Sequence, residues 1–288
     1  MAVNQYRSNP RTIAAPGRTV KTVIRSDKGG VQSAEVALRL LRVLVEARKP
    51  MMLRDLAAAG RMPPAKAHRY LVSLARAGYV EQDGAGGLYD LGPYALELAL
   101  ACLARIDYVR IASAALPELC RRVDQTVAPA VWGSRGPAFV RWEEPPHAVA
   151  SNVRVGSVIP VLHSASGRVL AAYLPREIVD PFIAEELKRA VPSRHKLGPR
   201  SRRAVEVMLA EVRRTGLARV SGDLLSGINA ISAPVFDHRR RVVLALTVLG
   251  DESRFDCFRN GPIVRAVQET ALEVSRRLGY RDNGEPAA

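Results

Sequence analysis

The sequence predicts an α+β protein in two parts: a small helical domain closed by a β-hairpin, and a larger domain of helices on a sheet, joined by an apolar helix. Three observations predict it. Apolar residues recur at helical spacing from Val36 to Leu74, then give way to two short strand-like runs around a glycine-rich turn. From Pro93 to about Asp107 a helix would be apolar on nearly every side. Beyond Val109 strand-like and helical runs alternate, with the strands paired as hairpins. The 288 residues suit two compact domains with tails. The expected segments are an arm (1–30), a helical domain (31–92), a linker helix (93–108), a sheet domain (109–281) and a tail (282–288).

Residues 1–30 hold Pro10, Pro16, Gly17, Gly29 and Gly30 and carry six basic residues against one acid, Asp27. This reads as a disordered basic arm. A first helix is capped at Ser33. Val36, Leu40, Val43, Leu44 and Ala47 form its apolar stripe, Glu35, Arg39, Arg42 and Glu46 lie opposite, and Pro50 ends it. A second helix, Leu53 to Ala59, buries Leu53, Leu56 and Ala57 and stops at Gly60. Arg61 and Met62 complete a tight turn. Pro63 and Pro64 open a third helix, where the missing N–H costs nothing, and Gly78 closes it. In that helix Ala67, Tyr70, Leu71 and Leu74 face inward, while Lys66, Arg69, Ser73 and Arg76 face outward. No acid occurs between Asp55 and Glu81. Two short helices, a turn and a cationic outer stripe describe a helix-turn-helix with its recognition helix.

Tyr79-Val80-Glu81-Gln82 and Leu88-Tyr89-Asp90-Leu91 flank Asp83-Gly84-Ala85-Gly86-Gly87 and predict a hairpin, placed where a wing would be. The linker helix carries Leu96, Leu98, Ala99, Leu100, Cys102, Leu103 and Ile106. A second subunit packed against it would bury it; the alternative is an ordinary core helix within one chain. A helix from Ile111 to Asp124 then leads to strands at Thr126–Trp132, Ala138–Glu143 and Ala148–Val155. Helices follow at Ser164–Leu174, Ile178–Leu187 and Arg200–Thr215, and strands at Gly216–Val220, Asn229–Phe236 and Val242–Leu249. A helix from Pro262 to about Leu278 closes the chain, with Val264, Val267, Ala271, Val274 and Leu278 on one stripe.

Lys and Arg number 43 against 28 Asp and Glu, a formal charge of +15. Such an excess favours nucleic acid or an anionic membrane; the alternative is a solubility feature of an arginine-rich composition. No apolar run approaches the ~18 residues of a membrane span, and the first residues lack the apolar core of an export signal. Cys102, Cys120 and Cys257 are scattered, which suits a reducing cytoplasm and forms no metal-ligand motif. His68, His147, His163, His195 and His238 stand far apart, without metal-ligand spacing. There is no GxSxG elbow, phosphate-binding Gly-Lys loop or GxGxxG, so no catalytic residue, cofactor or metal site is expected. Two alternatives stay open: an enzyme domain fused to a DNA-binding one, and a DNA-packing protein without sequence preference.

For duplex DNA, phosphate contacts are expected from Arg61, Lys66, Arg69 and Arg76. Base reading falls to the first turns of the third helix, with Ala65, Lys66 and Arg69 first and His68 and Ser73 second. His68 packed on the neighbouring helix is the plainer alternative. In the second domain, His163-Ser164-Ala165-Ser166-Gly167 places small residues ahead of a helix, where a carboxylate would be welcome; an ordinary helix cap is the alternative. Asp223 reads as a solvated loop acid, with orientation of a ligand as the alternative. Trp132 and Trp142 read as core residues or as walls of a pocket.

The order and spacing of several segments resemble the IclR family of bacterial regulators. They are Val31-Gln32-Ser33-Ala34-Glu35-Val36-Ala37-Leu38, Pro63 to Tyr79 with His68-Arg69, and Tyr89-Asp90-Leu91-Gly92. In the second domain they are Gly156, Pro160, His163, Gly167, Leu170 to Pro175, Gly216-Leu217-Ala218, and Gly227 through Ala233-Pro234-Val235-Phe236-Asp237. The resemblance spans residues 31 to 280. It implies a winged helix-turn-helix on an operator, a GAF-like effector-binding domain, a homodimer or tetramer, and control of catabolic genes, commonly as a repressor. It places effector contacts at His163 to Gly167, Val220, Gly227, Ile228, Ala230, Thr247 and Leu249, beside the loop candidate Asp223. Where the family usually has Lys, Ser and Thr at the start of the recognition helix, Pro64, Ala65 and Lys66 stand here. Relatives that take very small acids have polar residues where Val220, Ala230 and Leu249 stand; only Thr247 keeps a hydroxyl. This composition is expected to suit a larger, less polar organic acid, such as an aromatic one.

Overall fold

The computed structural model describes residues 29–147, 153–189, 198–255, 257 and 261–281. The expected basic arm, except Gly29 and Gly30, and the expected tail lie outside these residues. Two compact units divide between Ala101 and Cys102.

The first unit contains α1 (Gln32–Ala47), α2 (Leu53–Ala59), α3 (Pro64–Arg76), β1 (Val80–Gln82) and β2 (Tyr89–Leu91). One face of each helix builds a shared core of Leu40, Leu44, Leu56, Ala57, Ala67, Leu71 and Leu74, closed by Val80 and Tyr89. Leu40, Leu56 and Leu71 are fully buried, each worth roughly 1.5–3 kcal/mol relative to exposure. β1 and β2 pair antiparallel, and Met51 exchanges both backbone hydrogen bonds with Tyr89, so the wing has a third, single-residue rung.

Two local expectations are corrected. Ser33 does not cap α1: the cap position is Val31, without a side-chain bond, and Ser33 lies within the helix. Gly60 ends α2 but keeps an ordinary right-handed φ of −74°, and the left-handed residue is Arg61, φ 55°. Gly60 is needed for closeness instead: a Cβ there would lie 2.9 Å from a Leu40 methyl and 3.1 Å from the Leu56 carbonyl oxygen. The absent hydroxyl cap of α3 is seen as expected, with Pro63 at the cap position and no side-chain bond.

Helix α4 (Pro93–Ala104) has no buried residue. Leu96 is 63% and Leu100 55% exposed, so the alternative of a core helix within one chain does not hold.

The second unit is a five-stranded antiparallel sheet in the order β4-β3-β7-β6-β5. Its strands are β3 (Thr126–Gly133), β4 (Gly136–Phe139), β5 (Ala218–Ser221), β6 (Ile228–Phe236) and β7 (Val242–Asp251). The expected helix from Ile111 to Asp124 is two helices, α5 (Tyr108–Ser113) and α6 (Leu116–Val123). With α10 (Pro262–Arg277) they cover one face of the sheet, against Val127, Ile231, Val235, Leu244, Leu246 and Val248. The other face carries α7 (Ala165–Tyr173), α8 (Arg176–Lys188) and α9 (Arg202–Thr215), packed on Ala218, Val220, Val242 and Ala245. Alternate residues of the central strands thus go to opposite layers, as the two-residue period requires, except at the irregularity opposite Val235 and Phe236, which puts Val242 and Leu244 on different faces. The expected strand Ala138–Glu143 stops at Phe139, and Glu143 alone bridges back to Val127. Of Ala148–Val155, the described residues 153–155 form no strand and 148–152 lie outside the described residues.

Candidate functional sites

Helix α3 presents its outer face as expected. Ala65, Lys66, His68, Arg69, Ser73 and Arg76 are all exposed, as is Arg61 in the turn before it. Among the described residues, Arg61, Lys66, Arg69 and Arg76 have no acidic partner. Lys66 stands in a first turn that holds no acid, where a cation opposes the helix dipole at a cost of about 0.3–1 kcal/mol. A phosphate oxygen near this turn would answer both the lysine and the Ala65 N–H, since Pro64 has no N–H and Lys66 and Ala67 donate to the Pro63 carbonyl. Two residues are partly occupied. His68 Nδ1 lies 3.2 Å from the Tyr89 hydroxyl, joining α3 to the wing. Ser73 donates to the Arg69 carbonyl at 3.2 Å. The wing turn is organised by Asp83, whose carboxylate accepts the N–H groups of Ala85 and Gly86.

The second unit holds a pocket between the start of α7, the β5–β6 connection and the β7 end of the sheet. It is narrow, with a cavity volume of about 40 Å³. Ser164, Ala165, Ser166, Val220, Ile228, Ala230, Thr247 and Leu249, eight of the twelve residues named for effector contact, line it. Val220, Ala230 and Leu249 are brought together by register: Val220 pairs with Ala230, which pairs with Leu249.

In the polar part of the lining, Ser164 caps α7. Its hydroxyl accepts the Gly167 N–H at 3.0 Å and donates to the Pro160 carbonyl. Among the described residues, the N–H groups of Ala165 and Ser166 have no backbone acceptor, as the first amides of a helix do not. Thr247 Oγ1 lies 2.7 Å from Ser166 Oγ and 2.9 Å from Ser232 Oγ, a buried chain of hydroxyls. The rest of the lining includes an apolar set: Phe139, Trp142, Val153, Leu224 and Leu225. Phe139 and Trp142 meet edge to face at 5.3 Å.

Four expected effector residues do not line this pocket. His163 lies along a separate surface cleft and packs against Gly198. Gly167 is inside α7, where a Cβ would fall 2.4 Å from the Pro160 carbonyl oxygen. Gly227 supplies a left-handed turn, φ 77°. Asp223 is not a solvated loop acid but 6% exposed, and its Oδ2 accepts from Arg168 at 2.5 Å. Trp142 walls the pocket, whereas Trp132 packs edge to face on Phe182. Sequence reasoning missed Phe139, Val153, Leu224 and Leu225. Two adjacent leucines in an otherwise polar loop were the available signal.

Arg168 is the other residue that sequence reasoning passed over. It is 7% exposed, and its guanidinium donates to the carbonyls of Leu162 and Arg219, each at 2.8 Å, and to Asp223. Burial lowers its pKa below the ordinary arginine value, against the pull of Asp223.

Comparison with known proteins identifies both units. The model of the bacterial transcriptional regulator IclR C-terminal domain matches residues 100–276, and that of the IclR helix-turn-helix domain matches residues 33–84. The glycerol operon regulatory protein of Streptomyces coelicolor is 31% identical over 253 residues, 86% of this chain and 97% of that protein. The crystal structure of Pseudomonas aeruginosa HmgR superposes with a TM-score of 0.80 at 39% identity, covering 88% of this chain and 100% of that one. The fold is shared with an IclR homologue from Microbacterium hydrocarbonoxydans solved with 4-hydroxybenzoate, at 22% identity, a TM-score of 0.51, and coverage of 85% of this chain and 98% of that one. With a cationic helix on a winged helix-turn-helix, and family models matching both units, this chain belongs to the IclR family of DNA-binding transcriptional regulators.

Proposed function

We propose that this protein is an operator-specific repressor, released from DNA by a small aromatic carboxylate bound in the C-terminal pocket. The observation that carries the ligand class is the pocket's division. One part of the lining carries the helix-start N–H groups of Ala165 and Ser166, which have no acceptor among the described residues, and the other is the apolar set Phe139, Trp142, Leu224 and Leu225. A carboxylate suits the first part and a ring the second. The 4-hydroxybenzoate held by the Microbacterium protein carries both groups. Lys66 and Arg69 face DNA, with Ala65 beside them; Arg61 and Arg76 hold phosphates, and His68 and Ser73 support the helix. The apolar, exposed α4 is the contact surface for a second copy, which gives a homodimer or a tetramer of two such pairs. In this reading the protein acts in the cytoplasm and is not an enzyme.

Gel shift on the DNA upstream of its own coding sequence, with excess competitor, tests the reading. The expected result is a retained complex that 4-hydroxybenzoate or benzoate dissolves and glyoxylate does not. Release by glyoxylate alone overturns the ligand class, and equal binding to competitor overturns operator specificity.

A further inference from the structure

Three walls of the pocket converge on one buried side chain. Arg168 leaves the middle of α7 and holds the Leu162 carbonyl, just ahead of Ser164 and Ala165. It also holds the Arg219 carbonyl, next to Val220, and the carboxylate of Asp223, next to Leu224 and Leu225. The first two anchors lie in the helix entry and in strand β5. The third lies in the β5–β6 connection, which otherwise has three backbone bonds among the described residues: Gly222 N–H to Ile228 O, Ile228 N–H to Leu225 O, and Glu252 N–H to Gly227 O. Asp223 Oδ1 is buried with no hydrogen-bond partner among the described residues. Apart from the Glu252 N–H bond to Gly227 at its last residue, the connection is thus tied to the body of the domain by hydrogen bonds, among the described residues, through one oxygen of one carboxylate.

From this geometry we infer that Arg168 and Asp223 form the latch that keeps the Leu224–Leu225 wall closed over the pocket. Arg168 is a positioning residue: it lies outside the lining and acts through the wall. The inference rests on the pocket reading above. A cavity of about 40 Å³ admits a ring only with outward movement of a wall, and the β5–β6 connection, which belongs to no strand or helix, is the wall that Asp223 ties down. The pair therefore sets how fast a ligand enters and leaves. A lysine at 168 keeps the charge, but its single ammonium cannot span three acceptors on separate segments.

Hydrogen–deuterium exchange on the full chain tests the latch. Two variants are compared with wild type: Asp223→Ala, and the double variant Arg168→Met with Asp223→Leu, which leaves no unpaired buried charge if the single variant folds poorly. In both, exchange of the Gly222 and Ile228 amides is expected to rise at least tenfold, while the β6–β7 ladder and α10 keep their rates. Arg168→Lys is expected to behave like the double variant. Dissociation of 4-hydroxybenzoate, followed by tryptophan fluorescence, is expected to accelerate at least tenfold. Unchanged exchange at Gly222 and Ile228, or a rise spread equally over the sheet, overturns the latch. If wild type binds no 4-hydroxybenzoate, that failure belongs to the ligand class, and the exchange data alone decide the latch.

Discussion

Replacing Thr247 by valine tests how the protons in the polar part of the pocket are arranged. Ser166, Thr247 and Ser232 share three hydroxyl protons, and Ser232 also reaches the Leu246 carbonyl at 3.3 Å. One direction satisfies every contact: Ser232 donates to Leu246, Thr247 to Ser232, and Ser166 to Thr247. Valine keeps the shape but removes the acceptor for Ser166 and the donor to Ser232. Both serines are at most 1% exposed, so water does not replace the loss. An unsatisfied buried group costs about 1–3 kcal/mol, and the added methyl offsets roughly 0.8 kcal/mol. The net cost is on the order of 1–2 kcal/mol, a fall in Tm of roughly 2–8 °C for a domain of this size, read by calorimetry. In this arrangement Thr247 offers a carboxylate only lone pairs, so titration with 4-hydroxybenzoate should show no loss of affinity in the variant. Unchanged melting, or a tenfold weaker Kd, about 1.4 kcal/mol, would refute the reasoning, the second by showing that Thr247 donates to the ligand.

Other expectations follow from single contacts. Gly167→Ala forces a Cβ against the carbonyls of Pro160 and Val161, at 2.4 and 2.6 Å; these are backbone atoms, so a loss of about 1–3 kcal/mol is expected by denaturant unfolding, and wild-type stability would contradict the close approach. Asp237 accepts the N–H groups of Arg239 and Arg241 and the Arg241 guanidinium. Burial pushes its pKa up, but these bonds together hold it below the ordinary carboxylate value. A depressed folded pKa gives stability that is present above the unfolded value near ~4 and lost as pH falls through the folded one. Asp237→Ala should therefore be destabilised at pH 7, and its deficit should shrink at lower pH; a gap that is constant with pH would contradict this. Leu96→Ser with Leu100→Ser should shift sedimentation toward monomer while leaving the Tm of the C-terminal unit unchanged; an unchanged oligomer removes α4 from the interface.

Much of the first unit was legible because its signals are local. The stripe Val36–Leu40–Leu44 and the prolines opening α3 act within a few residues, and the helices fall where the periodicity puts them. The left-handed conformation at Arg61 rather than Gly60 was not legible, because the reason for Gly60 is a Leu40 methyl twenty residues away. In the second unit, apolar runs located most strands and helices, and β-pairing then brought Val220, Ala230 and Leu249 to one wall. The fate of Asp223 was hidden for a similar reason: its partner Arg168 belongs to another element, 55 residues earlier. The usable clue was an arginine inside Ala165–Ala172, a helix that is buried on every side. A charge that deep needs a partner, and the nearest unexplained acid loop was the place to look.

The claim that α3 enters a duplex groove is tested most directly by fluorescence anisotropy on operator and scrambled duplexes across a salt series, with wild type, Lys66→Ala and Arg69→Ala. A phosphate-contacting Lys66 predicts uniform weakening on both duplexes and a log–log salt slope shallower by about 0.9. A base-reading Arg69 predicts a loss of roughly 1–3 kcal/mol on operator and a smaller operator-to-scrambled ratio. Wild-type affinity and salt slope in both variants, with folding intact, would contradict the account.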